Sequence, residues 1–208
     1  MDTPTIEYYN QNAPNLAETY GIVGGAWHNR LNHALRRAET VLDIGCGTGR
    51  DLAHVLMSGK DAYGADPSAP MLEEAANHLS SMGLDATGRL FQTGLPEPAG
   101  LPLTEFDAIV ACASLMHLPS QDLATSLKSI HSLLKTGGVF LLLTPASRPQ
   151  IDAGTRRDPT QRLFTELSRE VLEPLLGETG FAIESTIAMP DGLGRAGYTW
   201  LSIQCLKK

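Results

Sequence analysis

Gly45, Gly47 and Gly49 stand at alternate positions in Val41-Leu42-Asp43-Ile44-Gly45-Cys46-Gly47-Thr48-Gly49-Arg50, where an apolar run gives way to a helical pattern. The first two let the backbone turn sharply and approach a ligand, and the third lets a helix start tight against its strand. A dinucleotide fingerprint puts its third glycine five positions after the first, whereas Gly49 is four after Gly45. Asp43, just inside the loop, would repel a phosphate and favours an ammonium or sulfonium group. Asp66 closes the next apolar run, about 20 residues on, the position from which a carboxylate grips both hydroxyls of a ribose. An adenosine with a cationic amino-acid tail satisfies both carboxylates. A tight turn without a ligand is the plainer alternative for the glycines alone.

These residues need elements that bring them together. Apolar runs predict strands over Thr40 to Ile44, Asp61 to Asp66, Gly88 to Gln92, Phe106 to Ala113 and Val139 to Thr144. Helical patterns lie between them over Asp51 to Ser58, Pro70 to Met82 and Gln121 to Leu134. The alternation predicts right-handed crossovers and a doubly wound, mostly parallel α/β sheet. A helix over Ser168 to Thr179 leads to two last strands, Phe181 to Met189 and Tyr198 to Leu206. They are joined by Pro190-Asp191-Gly192-Leu193-Gly194, as expected of an antiparallel pair at the sheet edge. Residues 1–38, polar and aromatic, read as a helical cap broken at Pro14 and at Gly24-Gly25, over a domain of residues 39–208 with which they form one structural unit. Pro145 to Pro159, with three prolines and three arginines, reads as a loop. Ligands of open α/β sheets bind outside the carboxyl ends of the strands, so both stretches are placed to be lids.

Four ordered motifs resemble class I S-adenosylmethionine-dependent methyltransferases of the small-molecule type. They are Val41 to Gly49, Ala65-Asp66-Pro67-Ser68 with Met71-Leu72, Phe106-Asp107-Ala108-Ile109-Val110, and Leu133-Leu134-Lys135-Thr136-Gly137-Gly138. The resemblance is close over Thr40 to Thr144 and extends to the last helix and two strands by pattern. It implies a Rossmann-like seven-stranded sheet with an antiparallel C-terminal edge strand, an N-terminal cap, and S-adenosylmethionine as cofactor. By resemblance, Asp43, Gly45, Cys46 and Gly47 surround the methionine portion, Asp66 the ribose hydroxyls, and Pro67 or Met71 one face of the adenine. Thr93, Gly94 and Leu95 fall at the adenine amino group, Ala111 and Cys112 at the fourth-strand end, and Tyr9 in the cap closing over the cofactor. The family usually has an acidic residue after the third strand; Thr93 stands there instead, so a hydroxyl or backbone group has to serve.

A sulfonium makes its methyl group electrophilic unaided, leaving the protein to place a nucleophile in line, desolvate it and sometimes remove a proton. Ala111 to His117 should border that methyl group. His117 is the candidate general base, its structural alternative being a bond to the Leu118-Pro119 turn. Tyr20, with Tyr8 and Tyr9, is a candidate from the cap, against a purely anchoring role. His28, His33, His54, His78 and His131 read as packing or surface residues, and Cys112 as a small buried hydrophobe. Arg148, Arg156, Arg157 and Arg162 suit a carboxylated or phosphorylated acceptor, although solvated loop charges are commoner. The Asn or Asp, two prolines and aromatic of amino-methylating nucleic-acid enzymes are absent, as is an acidic cluster for magnesium.

Composition narrows the classes further. Sixteen Lys and Arg against 23 Asp and Glu give a formal charge of −7 over 208 residues, a poor surface for a phosphate backbone. Three cysteines without CxxC spacing suggest a reducing compartment and neither zinc nor disulfide. No apolar run reaches membrane-spanning length and Met1-Asp2-Thr3-Pro4 has no leader pattern, so a cytoplasmic location is expected. The function expected is methyl transfer from S-adenosylmethionine to O, N or S of a small metabolite by metal-independent in-line displacement. No nucleic-acid or membrane partner is expected. The competing readings are an NAD(P)-dependent oxidoreductase, disfavoured by the glycine spacing and Asp43, and a cofactor-binding interaction module without catalysis.

Overall fold

In the computed structural model, which describes residues 2–21 and 24–208, the sheet is built from β1 (Thr40–Ile44), β2 (Asp61–Asp66), β3 (Leu90–Gln92), β4 (Phe106–Cys112), β5 (Leu134–Ser147), β6 (Phe181–Pro190) and β7 (Thr199–Lys207). Their order is β3-β2-β1-β4-β5-β7-β6. β1 to β5 pair in parallel, while β7 lies between β5 and β6, antiparallel to both. The doubly wound sheet with an antiparallel edge is thus as expected.

Adjacent residues on the central strands bury on opposite faces, the period-two pattern of a sheet covered on both sides. Leu42, Ile109 and Leu142 pack under α5 (Leu123–Ser132) and α6 (Arg169–Glu178) through Leu127, Ile130, Leu172 and Leu176. Their neighbours Val41, Val110 and Leu141 pack under α2 (Ala26–Ala34), α3 (Arg50–Met57) and α4 (Ala69–Ser81) through Trp27, Leu31, Leu52 and Leu79. The strand order reverses between β1 and β4, so their carboxyl ends open a crevice there.

α1 (Thr3–Tyr20) packs Ala13 and Leu16 against Met71 of α4. The expected break at Pro14 does not occur: the helix runs through it. The carbonyl that loses its intrahelical donor belongs to Asn10, on the exposed side, where water can replace the bond. Asp2 caps this helix through the Thr5 amide at 3.1 Å and also binds Arg157 at 2.7 Å, while Thr5 Oγ1 accepts from the Leu163 amide at 2.9 Å. α1 is therefore fastened to the segment after β5.

That segment also differs from the expected loop. β5 continues to Ser147, taking in Pro145, which sits at a register shift against β7 where a missing amide is tolerated. Beyond it the backbone folds back through a bridge between Arg157 and Leu163. The helix expected over Gln121 to Leu134 ends at Ser132, and Leu134 instead pairs with Phe106 as the first residue of β5. Among the described residues no helix is long and apolar enough to cross a membrane.

Candidate active site

A cavity of about 500 Å³ opens at the carboxyl ends of β1, β2 and β4, roofed by α1 and flanked by the segment after β5 and the β6–β7 connection. Its floor is the glycine loop. Gly45 has φ +75°, and a Cβ there would come within 2.3 Å of Ser114 Cβ; the Gly45 and Cys46 amides both donate to the Ala65 carbonyl, at 2.7 and 3.1 Å. Gly49 has φ +78° at the N-terminus of α3, and a Cβ there would lie 3.0 Å from Ala75 of α4. Only glycine holds both turns without strain.

Three carboxylates approach this floor. Asp66 accepts from the Gly47 amide at 3.0 Å and the Ser68 amide at 2.9 Å; burial nevertheless raises its pKa to about 6. Asp51 is fully engaged by Trp27 Nε1 at 2.8 Å, His28 Nε2 at 3.1 Å and the Arg50 guanidinium at 2.7 and 2.8 Å. Burial pushes the Asp51 carboxyl up, but these partners more than reverse it. Asp43 has no such help: it is buried, its Oδ1 has no hydrogen-bond partner among the described residues, and burial with the Asp51 charge pushes its pKa well above the carboxylate range. Asp43 lines the cavity while one of its carboxylate oxygens is left buried without a partner among the described residues, a fit for a cationic group, so the residues present suit a sulfonium-bearing adenosyl cofactor.

The other walls carry different chemistry. His117, buried in the turn after β4, has Nδ1 2.7 Å from the Leu163 carbonyl and Nε2 2.9 Å from the Tyr9 hydroxyl. A carbonyl only accepts, so Nδ1 carries the proton and Nε2 of the neutral ring accepts from Tyr9. Burial lowers the His117 pKa to about 4, keeping that tautomer neutral, and raises that of Tyr9. Beside this pair runs an alternation of arginine and aromatic groups. Arg162 lies 4.4 Å over Tyr8 and 5.5 Å from Phe164, Arg148 4.0 Å over Phe164 and 5.4 Å from Tyr198, and Arg195 4.2 Å over Tyr198. Arg162 pairs with Asp158 at 2.6 Å and Arg195 with Asp191 at 2.6 Å.

The cavity lining brings together Tyr9, Tyr20, Asp43, Gly45, Cys46, Gly47, Asp66, Pro67, Met71, Cys112 and His117. Four other sequence candidates, Thr93, Gly94, Leu95 and Ala111, lie outside that lining. Leu95 and Ala111 are core residues, Gly94 rests against Pro67, and Thr93 Oγ1 accepts from the Ala99 amide at 2.8 Å. The Cys46 and Cys112 thiols are pushed up by burial, which keeps them protonated. Sequence reading missed the Trp27–His28–Arg50–Asp51 cluster, whose one local signal is the Arg50-Asp51 pair at the start of a helix. It also read Arg162 mainly as a solvated charge, whereas the residue is 8% exposed. Among the described residues, no group of three or more His, Cys, Asp and Glu side chains is placed to hold a metal ion.

Comparison with known proteins agrees with this fold. The family described as "Methyltransferase domain" matches residues 18–186. An uncharacterized methyltransferase of Geobacillus sp. (strain WCH70) is 28% identical over 191 residues, 86% of each chain. The crystal structure of the Burkholderia thailandensis 1,6-didemethyltoxoflavin-N1-methyltransferase, with 1,6-didemethyltoxoflavin and S-adenosylhomocysteine bound, superposes with a TM-score of 0.74 at 25% identity, covering 98% of this chain and 85% of that one. The magnesium protoporphyrin IX methyltransferase of Synechocystis PCC 6803, solved with S-adenosylmethionine, shares the fold at a TM-score of 0.67 and 18% identity, over 100% and 98% of the two chains.

Proposed function

Since the chain belongs to the class I S-adenosylmethionine-dependent methyltransferases, we propose that it methylates an O, N or S atom of a small metabolite by in-line displacement without a metal ion. The observation that carries this reading is one roofed cavity with the unpartnered Asp43 carboxylate at its floor and the Tyr9–His117 pair in its wall. A cavity of about 500 Å³ is in the range of small-molecule sites.

Asp43 would stand beside the cationic end of the cofactor, Asp66 at its ribose hydroxyls, and Pro67 and Met71 against its adenine, with the Gly45 to Gly47 backbone close to the methionine portion. Bound there, S-adenosylmethionine supplies an electrophilic methyl group: the acceptor's lone pair forms the new bond to carbon, the carbon–sulfur pair stays on sulfur, and S-adenosylhomocysteine and a proton result. The proton falls to the chain's own residues. Tyr9 donates to His117, so its oxygen lone pairs are turned away from the imidazole and are available to an acceptor O–H or N–H. Tyr9 then touches the acceptor, and as it takes the acceptor's proton its own O–H proton passes to Nε2 of His117, whose ring is held in one tautomer by the Leu163 carbonyl. Tyr20 lines the same cavity and closes its cap side with Ala13, Leu16 and Met71. α1 and the segment after β5, fastened through Asp2–Arg157 and Thr5–Leu163, border the cavity and would shield the donor from water.

Titration calorimetry with S-adenosylhomocysteine tests the reading. The wild type should bind, Asp66→Ala and Gly47→Val should weaken binding at least tenfold, and incubation with S-adenosylmethionine and a pool of cell metabolites should yield S-adenosylhomocysteine with or without EDTA. Binding of NADH in place of S-adenosylhomocysteine would sink it, and binding without turnover would favour the non-catalytic module.

A further inference from the structure

Arg148 leaves the carboxyl end of β5 and lines the cavity two strands away from Asp43, beyond β4 and its Tyr9–His117 pair. The charges around it do not balance. Arg195 is matched by Asp191, whose two carboxylate oxygens accept from its Nη2 at 2.6 Å and its Nε at 3.0 Å. Arg162 places Nη2 and Nε on Asp158 Oδ2 at 2.6 and 3.0 Å. Asp158 Oδ1 is filled by the Thr160 amide and hydroxyl and the Arg162 amide. Arg148 is left with a third, longer contact on Oδ2, at 3.3 Å. Its Nε is buried with no partner among the described residues. Burial and the neighbouring Arg162 charge both weaken its hold on its proton. Its guanidinium carbon lies 4.0 Å from the centre of the Phe164 ring and 5.4 Å from that of Tyr198, contacts that hold the cation at the cavity wall. A guanidinium held at a cavity wall by one long, shared carboxylate contact suits the oxygens of an anionic ligand, a carboxylate or a phosphate.

We infer that the methyl acceptor is an anion whose carboxylate or phosphate group docks on Arg148, with the nucleophilic atom carried toward Tyr9 and the cofactor. This rests on the methyltransferase reading and adds the substrate's charge to it. The anion supplies the counter-charge missing from the three arginines and two carboxylates of this wall. The cofactor's own carboxylate has the same chemistry, and the experiment separates the two sources.

Calorimetry on protein saturated with S-adenosylhomocysteine would compare benzoate with the neutral benzamide, and inorganic phosphate with buffer alone. The wild type should bind benzoate at least tenfold more tightly than benzamide. Arg148→Met, which keeps a long side chain over Phe164, should lose that preference and leave S-adenosylhomocysteine affinity within twofold. Arg148→Lys, keeping the charge without the fork, should retain part of it. The proposal is overturned if the wild type shows no preference for either anion, or if the preference survives in Arg148→Met. It is equally overturned if Arg148→Met weakens S-adenosylhomocysteine tenfold, which would assign the arginine to the cofactor carboxylate. Failure of the wild type to bind S-adenosylhomocysteine is a different result: it overturns the methyltransferase reading beneath.

Discussion

Asp43 and Arg148 line the same cavity, and each holds one buried polar atom without a partner among the described residues, yet the regions that hold them are built in opposite ways. Asp43 sits on β1, paired on one side to Gly64 and on the other to Val110, so its backbone position is set by the middle of the sheet. Arg148 stands just past the end of β5, in a segment held by ion pairs, cation–π contacts and bonds to α1. One region is rigid and acidic, the other is cross-braced and basic. A group fixed by strand pairing suits the part of the reaction that stays constant, the cofactor. One fixed by side chains on irregular backbone can be altered without disturbing the sheet, which suits the acceptor.

The largest effect expected separates the two regions by backbone strain. Gly45→Val puts a branched side chain at φ +75° with its Cβ 2.3 Å from Ser114 Cβ. A loss of about 3 kcal/mol or more in stability and no measurable S-adenosylhomocysteine binding should follow. Gly194→Ala, at φ +68° in the β6–β7 connection with nothing within 4 Å, should cost about 1 kcal/mol and leave cofactor binding intact. Thermal unfolding and calorimetry on both variants check the contrast, and equal losses of cofactor affinity would break it.

The same division explains what could be read from the sequence. The β1–glycine loop–α3 passage, Asp66 after β2 and the strand alternation are local patterns, because neighbours in sequence are neighbours in space there. The Arg50–Asp51–Trp27–His28 cluster was not legible: Trp27 and Asp51 are 24 positions apart and meet through the packing of α2 on α3. Nor was the pairing of Tyr9 with His117, 108 positions apart, or the burial of Arg162, which depends on Asp158 and the Tyr8 ring. Pro14 misled for a related reason. A proline's effect on a helix depends on whether the freed carbonyl faces water, which only the packing of α1 decides.

Titration should show the contrast at a smaller scale. Burial raises the Asp66 pKa from 3.8 to about 6, so its contribution to stability is greatest below about 4 and is lost as pH rises through 6. Burial lowers the His117 pKa from 6.5 to about 4, so its contribution is present above about 6.5 and is lost as pH falls toward 4. At about 1.4 kcal/mol per unit, each amounts to about 3 kcal/mol in opposite senses. Urea unfolding of wild type, Asp66→Asn and His117→Gln between pH 7 and 4 would test this. Relative to wild type, Asp66→Asn should lose stability as pH falls and His117→Gln should gain it; the other carboxylates cancel in the comparison. Parallel slopes would show that one of the two groups is not buried as described.

Asp43→Asn is the mildest change and discriminates between stability and function. The substitution keeps the shape and removes an ionisable carboxyl that the fold itself does not use, since Oδ1 has no partner among the described residues and burial disfavours ionisation. Without ligand the variant should therefore unfold at a higher temperature than wild type at neutral pH, where the unfolded chain ionises this carboxyl and the folded protein resists doing so. With S-adenosylmethionine it should lose about 10- to 100-fold in affinity, roughly 1.4–2.8 kcal/mol, because the cationic sulfonium no longer meets a carboxylate. Its affinity for uncharged-sulfur S-adenosylhomocysteine should fall less, and that difference between two ligands alike except for one methyl and one charge is the informative quantity. Equal losses for both would mean that Asp43 serves the loop's shape or the cofactor's amino group, and that the acidic floor does not select for sulfonium.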